Sequence, residues 1–254
     1  MGEKADRDLL LIGRKPVLEL TRRRPGLIQS VRILRDAELS EELEKALAML
    51  RSSGVDVLRV EREEFFRYGA DGNHQGVLAL LHPRRSFSLD DLISRSQQPG
   101  RSKVLVVLDQ LHDPHNLGAI LRVAEASGAD GIVLTEARTV TVTPAVRKVS
   151  AGASELIPIA TVINLSRALQ QLKKAGFWVI GTVAEKGTAS LFSTEIPLPS
   201  AVVFGSEGEG MRKLTKDICD VLVTIPIAGD IESLNVNQAA SVLLYELFRR
   251  RQKI

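Results

Sequence analysis

The run Val104-Leu-Val-Val-Leu108 narrows what this chain can fold into. Five consecutive apolar residues, mostly β-branched, leave a strand no polar face. Such strands occur inside parallel sheets covered by helices on both sides. Ala201-Val-Val-Phe204 repeats the pattern, within an expected strand at 200–204. Helical periodicity lies between such runs. Over 114–127, Leu117, Ile120, Leu121 and Ala124 share one stripe; Asp113 stands at the cap, Pro114 at the first helical position and Gly128 at the end. Over 164–175, Leu165, Leu169 and Leu172 do the same before Gly176. Further strands are expected at 131–134, 156–160, 177–183 and 221–225, with a helix start at 143–150 behind Pro144. Strands alternating with helices imply an α/β unit with an open parallel sheet.

The chain of 254 residues has room for a second unit. Residues 9–12 read as a short strand or the lead-in to a helix, and strands are expected at 30–34, 55–60 and 77–81. A helix is expected over 40–51, with Ser40 as cap and Leu43, Leu47 and Leu50 facing inward, and a short one over 61–68. Residues 84–101, rich in Pro, Ser, Gln and Arg, read as a linker with a brief helix around 89–93. The expected domains are therefore 1–83, a linker at 84–101, and 102–254.

Bulk properties exclude several classes. No apolar run is long enough to cross a bilayer, and the N-terminus has no apolar signal core, so a cytoplasmic location is expected. Cys219 is the single cysteine, which rules out an internal disulfide framework and fits a reducing compartment. With one Cys and four scattered His, no metal is expected. A net charge of +3 is compatible with a nucleic-acid partner but does not demand one.

Three segments share one plan: an apolar strand, a turn of small and polar residues, then a helix. Their turns would gather at the carboxyl ends of the strands, where open α/β sheets bind ligands. In the first, Asp109 to Arg122, Gly118 inside a helix suggests close packing against its backbone, and Arg122 stands one turn further on. A surface Arg paired with Glu125 is the plainer explanation of that cation. The second, Phe204-Gly-Ser-Glu-Gly-Glu-Gly-Met211, lacks the G-x-G-x-x-G dinucleotide spacing. Its carboxylates, Glu207 and Glu209, disfavour a phosphate ligand, because like charges repel at short range. Open backbone beside carboxylates suits a cationic ligand, and S-adenosylmethionine carries a sulfonium and an ammonium without phosphate. A glycine-rich turn with solvated Glu accounts for the same residues. In the third, Ile225-Pro-Ile-Ala-Gly-Asp-Ile-Glu-Ser-Leu-Asn-Val236, Asn235 is a good helix cap, ahead of an apolar face of Val236, Ala239, Ala240, Leu243 and Leu247. Capping alone would account for Ser233 and Asn235.

Together the three segments read N-x-G-x-x-x-R, F-G-x-E-G-x-G-M and I-P-x-x-G-x-x-x-S-L-N-V. In that order they resemble the three motifs of the SpoU/TrmH ribose methyltransferases of the SPOUT superfamily. The likeness covers roughly 103–250, and Gly72-Asn-His-Gln-Gly76 resembles the small RNA-binding domain of the branch that methylates a guanosine of 23S ribosomal RNA. The resemblance implies an α/β fold whose C-terminal parallel sheet holds a deep trefoil knot, preceded by a small α/β RNA-binding domain. It implies a homodimer and S-adenosylmethionine as methyl donor. The residues implied around that donor are Thr182, Val183, Gly205, Glu207, Gly208, Gly210, Ile225, Ile227, Ser233, Leu234 and Asn235.

The reaction expected from the resemblance is methyl transfer to a ribose 2′-oxygen. Arg122 is the expected group at the developing alkoxide, with Asn116 and Glu207 orienting it and Ser233 and Asn235 completing the surround. A guanidinium is a poor base; either its site depresses its pKa strongly, or Arg122 acts by charge while an RNA phosphate takes the proton. Expected RNA contacts are Arg22, Arg23, Arg24, His74, Gln75 and Arg147, with Arg84, Arg85, Arg101, Lys103 and Lys148 beside them. Two other classes compete. A nicotinamide oxidoreductase lacks its glycine fingerprint here. A non-catalytic RNA binder would leave the set Asn116, Arg122, Glu207, Ser233 and Asn235 unexplained. Within the methyltransferase class, tRNA is the alternative target.

Overall fold

The computed structural model describes residues 9–68, 74–83, 86–137, 139–206, 208 and 210–252. By internal packing they divide into two compact units: residues up to 85 joined by 141–156, and 86–140 joined by 157–254.

In the first unit the described residues form a four-stranded sheet in the order β1-β4-β2-β3. The strands are β1 (Leu10–Ile12), β2 (Ile28–Leu34), β3 (Asp56–Val60) and β4 (Val77–Leu81). β4 runs antiparallel to β1 and β2, while β2 and β3 are parallel. Helices α1 (Arg14–Arg23) and α2 (Glu41–Ser52) bury Val17, Leu20, Leu43, Leu47 and Leu50 with one sheet face. Ser40 caps α2 as expected, accepting the Leu43 amide at 3.3 Å. Phe65, on α3 (Arg62–Arg67), packs with Leu10, Ile12, Val60 and Leu78. Both faces of β4 are therefore covered, and Val77, Leu78, Ala79 and Leu81 are all buried.

Within the expected linker at 84–101, the brief helix expected around 89–93 is present, longer than expected, and packs into the second unit. Helix α4 (Leu89–Ser96) opens on a capping box, with Ser88 Oγ accepting the Asp91 amide and Asp91 returning a bond to the Ser88 amide. Leu89, Leu92 and Ile93 then enter the core of the second unit with Leu105, Val107 and Val133. A stripe at i, i+3 and i+4 makes the helix, although the intervening residues are polar. Arg84 and Arg85 lie outside the described residues.

The second unit's described strands form a parallel sheet in the order β10-β8-β9-β5-β6-β7. These are β5 (Val104–Leu108), β6 (Gly131–Thr135), β7 (Ile159–Val162), β8 (Trp178–Thr182), β9 (Ser200–Phe204) and β10 (Val221–Val223). Every residue of β5, β6 and β9 is buried. Strand β7 starts three residues later than its expected position, and β10 ends two residues early, where Thr224 instead bridges to Ser190. Helix α5 (Pro114–Ala126) packs along the C-terminal helix α9 (Val236–Gln252).

The connection between β6 and β7 holds a second departure. Its helix α6 (Pro144–Val149), expected within 102–254, belongs by packing to the first unit, against β1. Arg147 on α6 is 4% exposed, and its Nε meets Glu155 Oε1 at 2.8 Å. The expectation that Arg147 faces RNA does not hold: its cation is neutralised inside the unit, where it would cost heavily to leave unpaired. Helices α7 (Leu165–Lys174) and α8 (Lys213–Ile218) complete the second unit.

Candidate active site

Three turns leave the carboxyl ends of neighbouring strands β8, β9 and β10, and all three line one cleft of about 470 Å³. From the first turn come Thr182 and Val183; from the second Gly205, Gly208 and Gly210; from the third Ile225, Ile227, Ser233, Leu234 and Asn235. Each expected donor-binding residue within the described part thus lies on this cleft. Glu207 and Glu209 lie outside the described residues.

The middle wall is built on one backbone approach. A Cβ on Gly205 would sit 2.4 Å from the Gly210 carbonyl carbon and the Met211 nitrogen, so no side chain fits there. Ser206 and Gly210 exchange backbone hydrogen bonds of 3.1 and 3.0 Å, closing a small loop. Gly210 has φ +67°, a left-handed conformation that glycine adopts without strain. Thr182 Oγ1 donates to the Val203 carbonyl at 2.6 Å, holding the start of the first turn to strand β9.

A residue given no role from the sequence secures the far end of this loop. Asp109 follows β5 and is 2% exposed. Its carboxylate accepts Arg212 Nη2 at 2.6 Å and Nε at 3.1 Å, and Thr215 Oγ1 at 3.0 Å. An acid directly after a fully apolar strand was the available signal. Lys216 and Glu185, also on the cleft, form an ion pair between α8 and the β8 turn.

The third wall confirms the helix start. Asn235 Oδ1 accepts the Asn237 amide at 2.9 Å, and Gln238 Oε1 accepts the Asn235 amide at 3.3 Å. Ser233 and Asn235 are both exposed. The first segment differs from the other two, since its residues do not line the cleft. Asn116 is 3% exposed on α5 and is joined to the third wall through the Asn237 side chain, Nδ2 to Oδ1 at 2.5 Å. Arg122 is exposed on α5 and, among the described residues, forms no hydrogen bond or ion pair, with Glu125 or otherwise.

Cys219 lies behind the cleft, its thiol 3.2 Å from the Thr215 carbonyl and 3.8 Å from Met211 Sδ. Burial, and then Asp220, pushes its pKa up to about 12, so it is no nucleophile at neutral pH.

In the first unit, Arg22 pairs with Glu42 and Arg23 lies 3.7 Å from Glu19; both, with Arg24, are exposed. Gln75 shapes a turn: it has φ 53° and accepts Arg14 N at 3.2 Å and Arg14 Nε at 2.9 Å through its side chain and backbone oxygens. The His74 ring is 4.9 Å from Phe65, and its Nδ1 accepts the Gly76 amide at 2.9 Å. Burial lowers its pKa, as do the Arg62 and Lys148 charges, so the ring is neutral at neutral pH. The same neighbourhood shows a 40% exposed Phe66 with the Arg62 guanidinium 5.6 Å from its ring centre.

The sequence profile described as the SpoU rRNA methylase family matches residues 103–245, more than half the chain. The chain belongs to the SpoU rRNA methylase family. A second profile, RNA 2′-O ribose methyltransferase substrate binding, matches residues 10–87. The 23S rRNA (guanosine-2′-O-)-methyltransferase RlmB of Pseudomonas syringae pv. tomato is 38% identical over 244 residues, 95% of each chain. An uncharacterized tRNA/rRNA methyltransferase of Synechocystis sp. is 46% identical over 201 residues, spanning 79% of this chain and about half (52%) of that longer relative. Among solved structures, an AdoMet-bound rRNA methyltransferase from Sinorhizobium meliloti superposes with TM-score 0.74 at 26% identity, covering 98% of this chain and 89% of that one. AviRb of Streptomyces viridochromogenes, at 23% identity and TM-score 0.77, shares the fold over 98% of this chain and 92% of its own.

Proposed function

We propose that this SpoU-family protein transfers the methyl group of S-adenosylmethionine to the 2′-hydroxyl of a guanosine in 23S ribosomal RNA. The observation carrying the reading is the convergence of the β8, β9 and β10 turns on one cleft. The cleft fits the donor. Its size is right for a nucleoside with an amino-acid tail, and at Gly208 a Cβ would meet nothing within 4 Å, leaving backbone open to a ligand. Thr182, Val183, Gly205, Gly208, Gly210, Ile225, Ile227 and Leu234 would hold the donor. When bound, it supplies an electrophilic methyl group.

The protein's own part is to place and polarise the ribose. Ser233 and Asn235, exposed at the cleft edge, and Asn116 behind them are proposed to orient the 2′-hydroxyl, with Glu207. Arg122 supplies positive charge for the developing alkoxide, and an RNA phosphate takes the proton. Charge aimed where charge develops is among the strongest means a site has to lower a barrier.

Because Arg122 lies outside the cleft of its own chain, we place it in a homodimer, which the exposed Tyr245 (49%) on α9 also favours. Light scattering should return twice the chain mass, and a monomer at assay concentration would contradict this arrangement. A deep trefoil knot in the C-terminal sheet is proposed, and family membership supports it; an optical trap should recover less than the full contour length, and full recovery would exclude the knot. RNA contact is assigned to Arg22, Arg23 and Arg24, to Lys148, and to the His74 and Gln75 turn beside Phe66, acting in a reducing cytoplasm.

The test is transfer of labelled methyl groups to total RNA from cells lacking the enzyme. Label in large-subunit ribosomal RNA is expected. Label in tRNA, the target that the Synechocystis relative's name also allows, would keep the chemistry and overturn the substrate. Absence of both labelling and donor binding would overturn the function.

A further inference from the structure

Asn237, the second residue of α9, has no place in the chemistry proposed above. Its side chain nevertheless links the helix of the first segment to the cleft wall. Asn237 Nδ2 donates to Asn116 Oδ1 at 2.5 Å, across the α5–α9 packing. Asn116 Nδ2 donates in turn to Asp113 Oδ2 at 3.1 Å. Asp113 is itself held at the α5 N-terminus, its Oδ1 accepting the His115 amide at 2.9 Å.

The chemistry of the groups gives this chain a direction. A carboxylate only accepts, so the amide nitrogen of Asn116 must face Asp113 and its oxygen must face a donor. Asn237 is that donor. Its backbone is fixed too, since its own amide donates to Asn235 Oδ1 at 2.9 Å. A hydrogen-bonded path therefore runs Asp113, Asn116, Asn237, Asn235, from the start of α5 to the cleft wall. Asn116 is 3% exposed, so the bond that Asn237 gives its oxygen is shielded from water.

We infer that Asn237 is a positioning residue: it sets the amide orientation of Asn116 and couples it to Asn235, so that both side chains frame the ribose as one unit. The inference rests on the methyl-transfer reading of this cleft. It assigns to Asn237 no contact with either substrate. Sequence alone did not suggest it, because Asn early in a helix reads as capping.

The discriminating variant is N237D. It keeps size and shape but presents an ionised oxygen to the Asn116 oxygen, acceptor to acceptor. When protonated, the same carboxyl regains a donor. Positioning therefore predicts a roughly 10- to 100-fold fall in kcat at alkaline pH, with partial recovery as pH is lowered. KM for S-adenosylmethionine should change by less than about threefold, because the residues lining the cleft are unaltered. N237A should lose kcat without recovery at any pH. Thermal melts of N116A, N237A and the double variant give a readout independent of activity: their shifts should not add, because the pair shares one bond.

An N237D profile parallel to wild type would overturn the positioning role. So would equal losses in kcat, donor affinity and melting temperature, which would mark a structural residue only. Additive melting shifts would overturn the hydrogen-bonded path itself. An unaltered protein that transfers no methyl group would instead overturn the proposed reaction, and any role of Asn237 in it, while the melts still judge the path.

Discussion

At the scale of single residues, Asp109 and Arg122 stand for two ways of serving a site. Asp109 is buried and accepts three hydrogen bonds, so it acts by holding the glycine loop in place. Its partner Arg212 is half exposed, at 48%, which tempers the electrostatic part of that hold. We expect D109N to cost about 1–2 kcal/mol in denaturant unfolding and to weaken donor binding in calorimetry. Unchanged donor affinity would show that the loop keeps its shape without the pair. Arg122, exposed and outside the cleft, should behave in the opposite way. R122K keeps the charge but loses the planar fork. It is expected to lower kcat by about tenfold or more with donor affinity unchanged, and full activity would remove Arg122 from the mechanism. Arg147 shows where residue-level reading fails. Arg is ordinarily a surface residue, and a partner eight positions on, Glu155, helps this one to be buried.

At the scale of elements, legibility follows the strength of the local pattern. Strands β5 and β9 could be read directly because strands buried on both faces have no polar alternation to blur them. Helices α2, α5 and α7 could be read because cap, stripe and stop agree. Helix α4 was legible only as a brief helix within a linker, because of its polar residues, yet its Leu92 is fully buried in the second unit's core. L92A should therefore destabilise that unit by about 2–5 kcal/mol in chemical denaturation. A change below about 1 kcal/mol would indicate a peripheral helix after all. Helix α9 carries a device of another kind. Glu246 receives hydrogen bonds from Arg249 and Arg250, which hold its carboxyl at about 2, below an ordinary value of 4.5. A depressed carboxyl pKa adds stability that is complete above the ordinary value and is lost as pH falls toward the depressed one. Melting temperature of the wild type should thus drop more steeply than that of E246Q between those two values. Parallel curves would show that the cluster contributes nothing.

At the scale of the whole molecule, the second and third motifs acquire one meaning only when the sheet brings them together on one cleft. Their convergence on strand ends was legible, since these motifs sit where parallel strands give way to turns. Three things were not legible. The packing of 141–156 with the first unit is a tertiary choice, and no local signal in Thr141–Leu156 states it. The link from the first motif to the cleft wall depends on the side-chain path through Asn237. The neutral, half-packed state of His74 depends on Phe65, Arg62 and Lys148, which come from other elements. The central claim is that this assembly methylates one ribose oxygen. It is tested most directly by mapping the product nucleotide after reaction of the protein with unmodified 23S ribosomal RNA and labelled S-adenosylmethionine. The mechanism predicts one 2′-O-methylguanosine, formed about tenfold or more slowly when R122K replaces the wild type. A methyl group on a base, or label spread over many nucleotides, would contradict it.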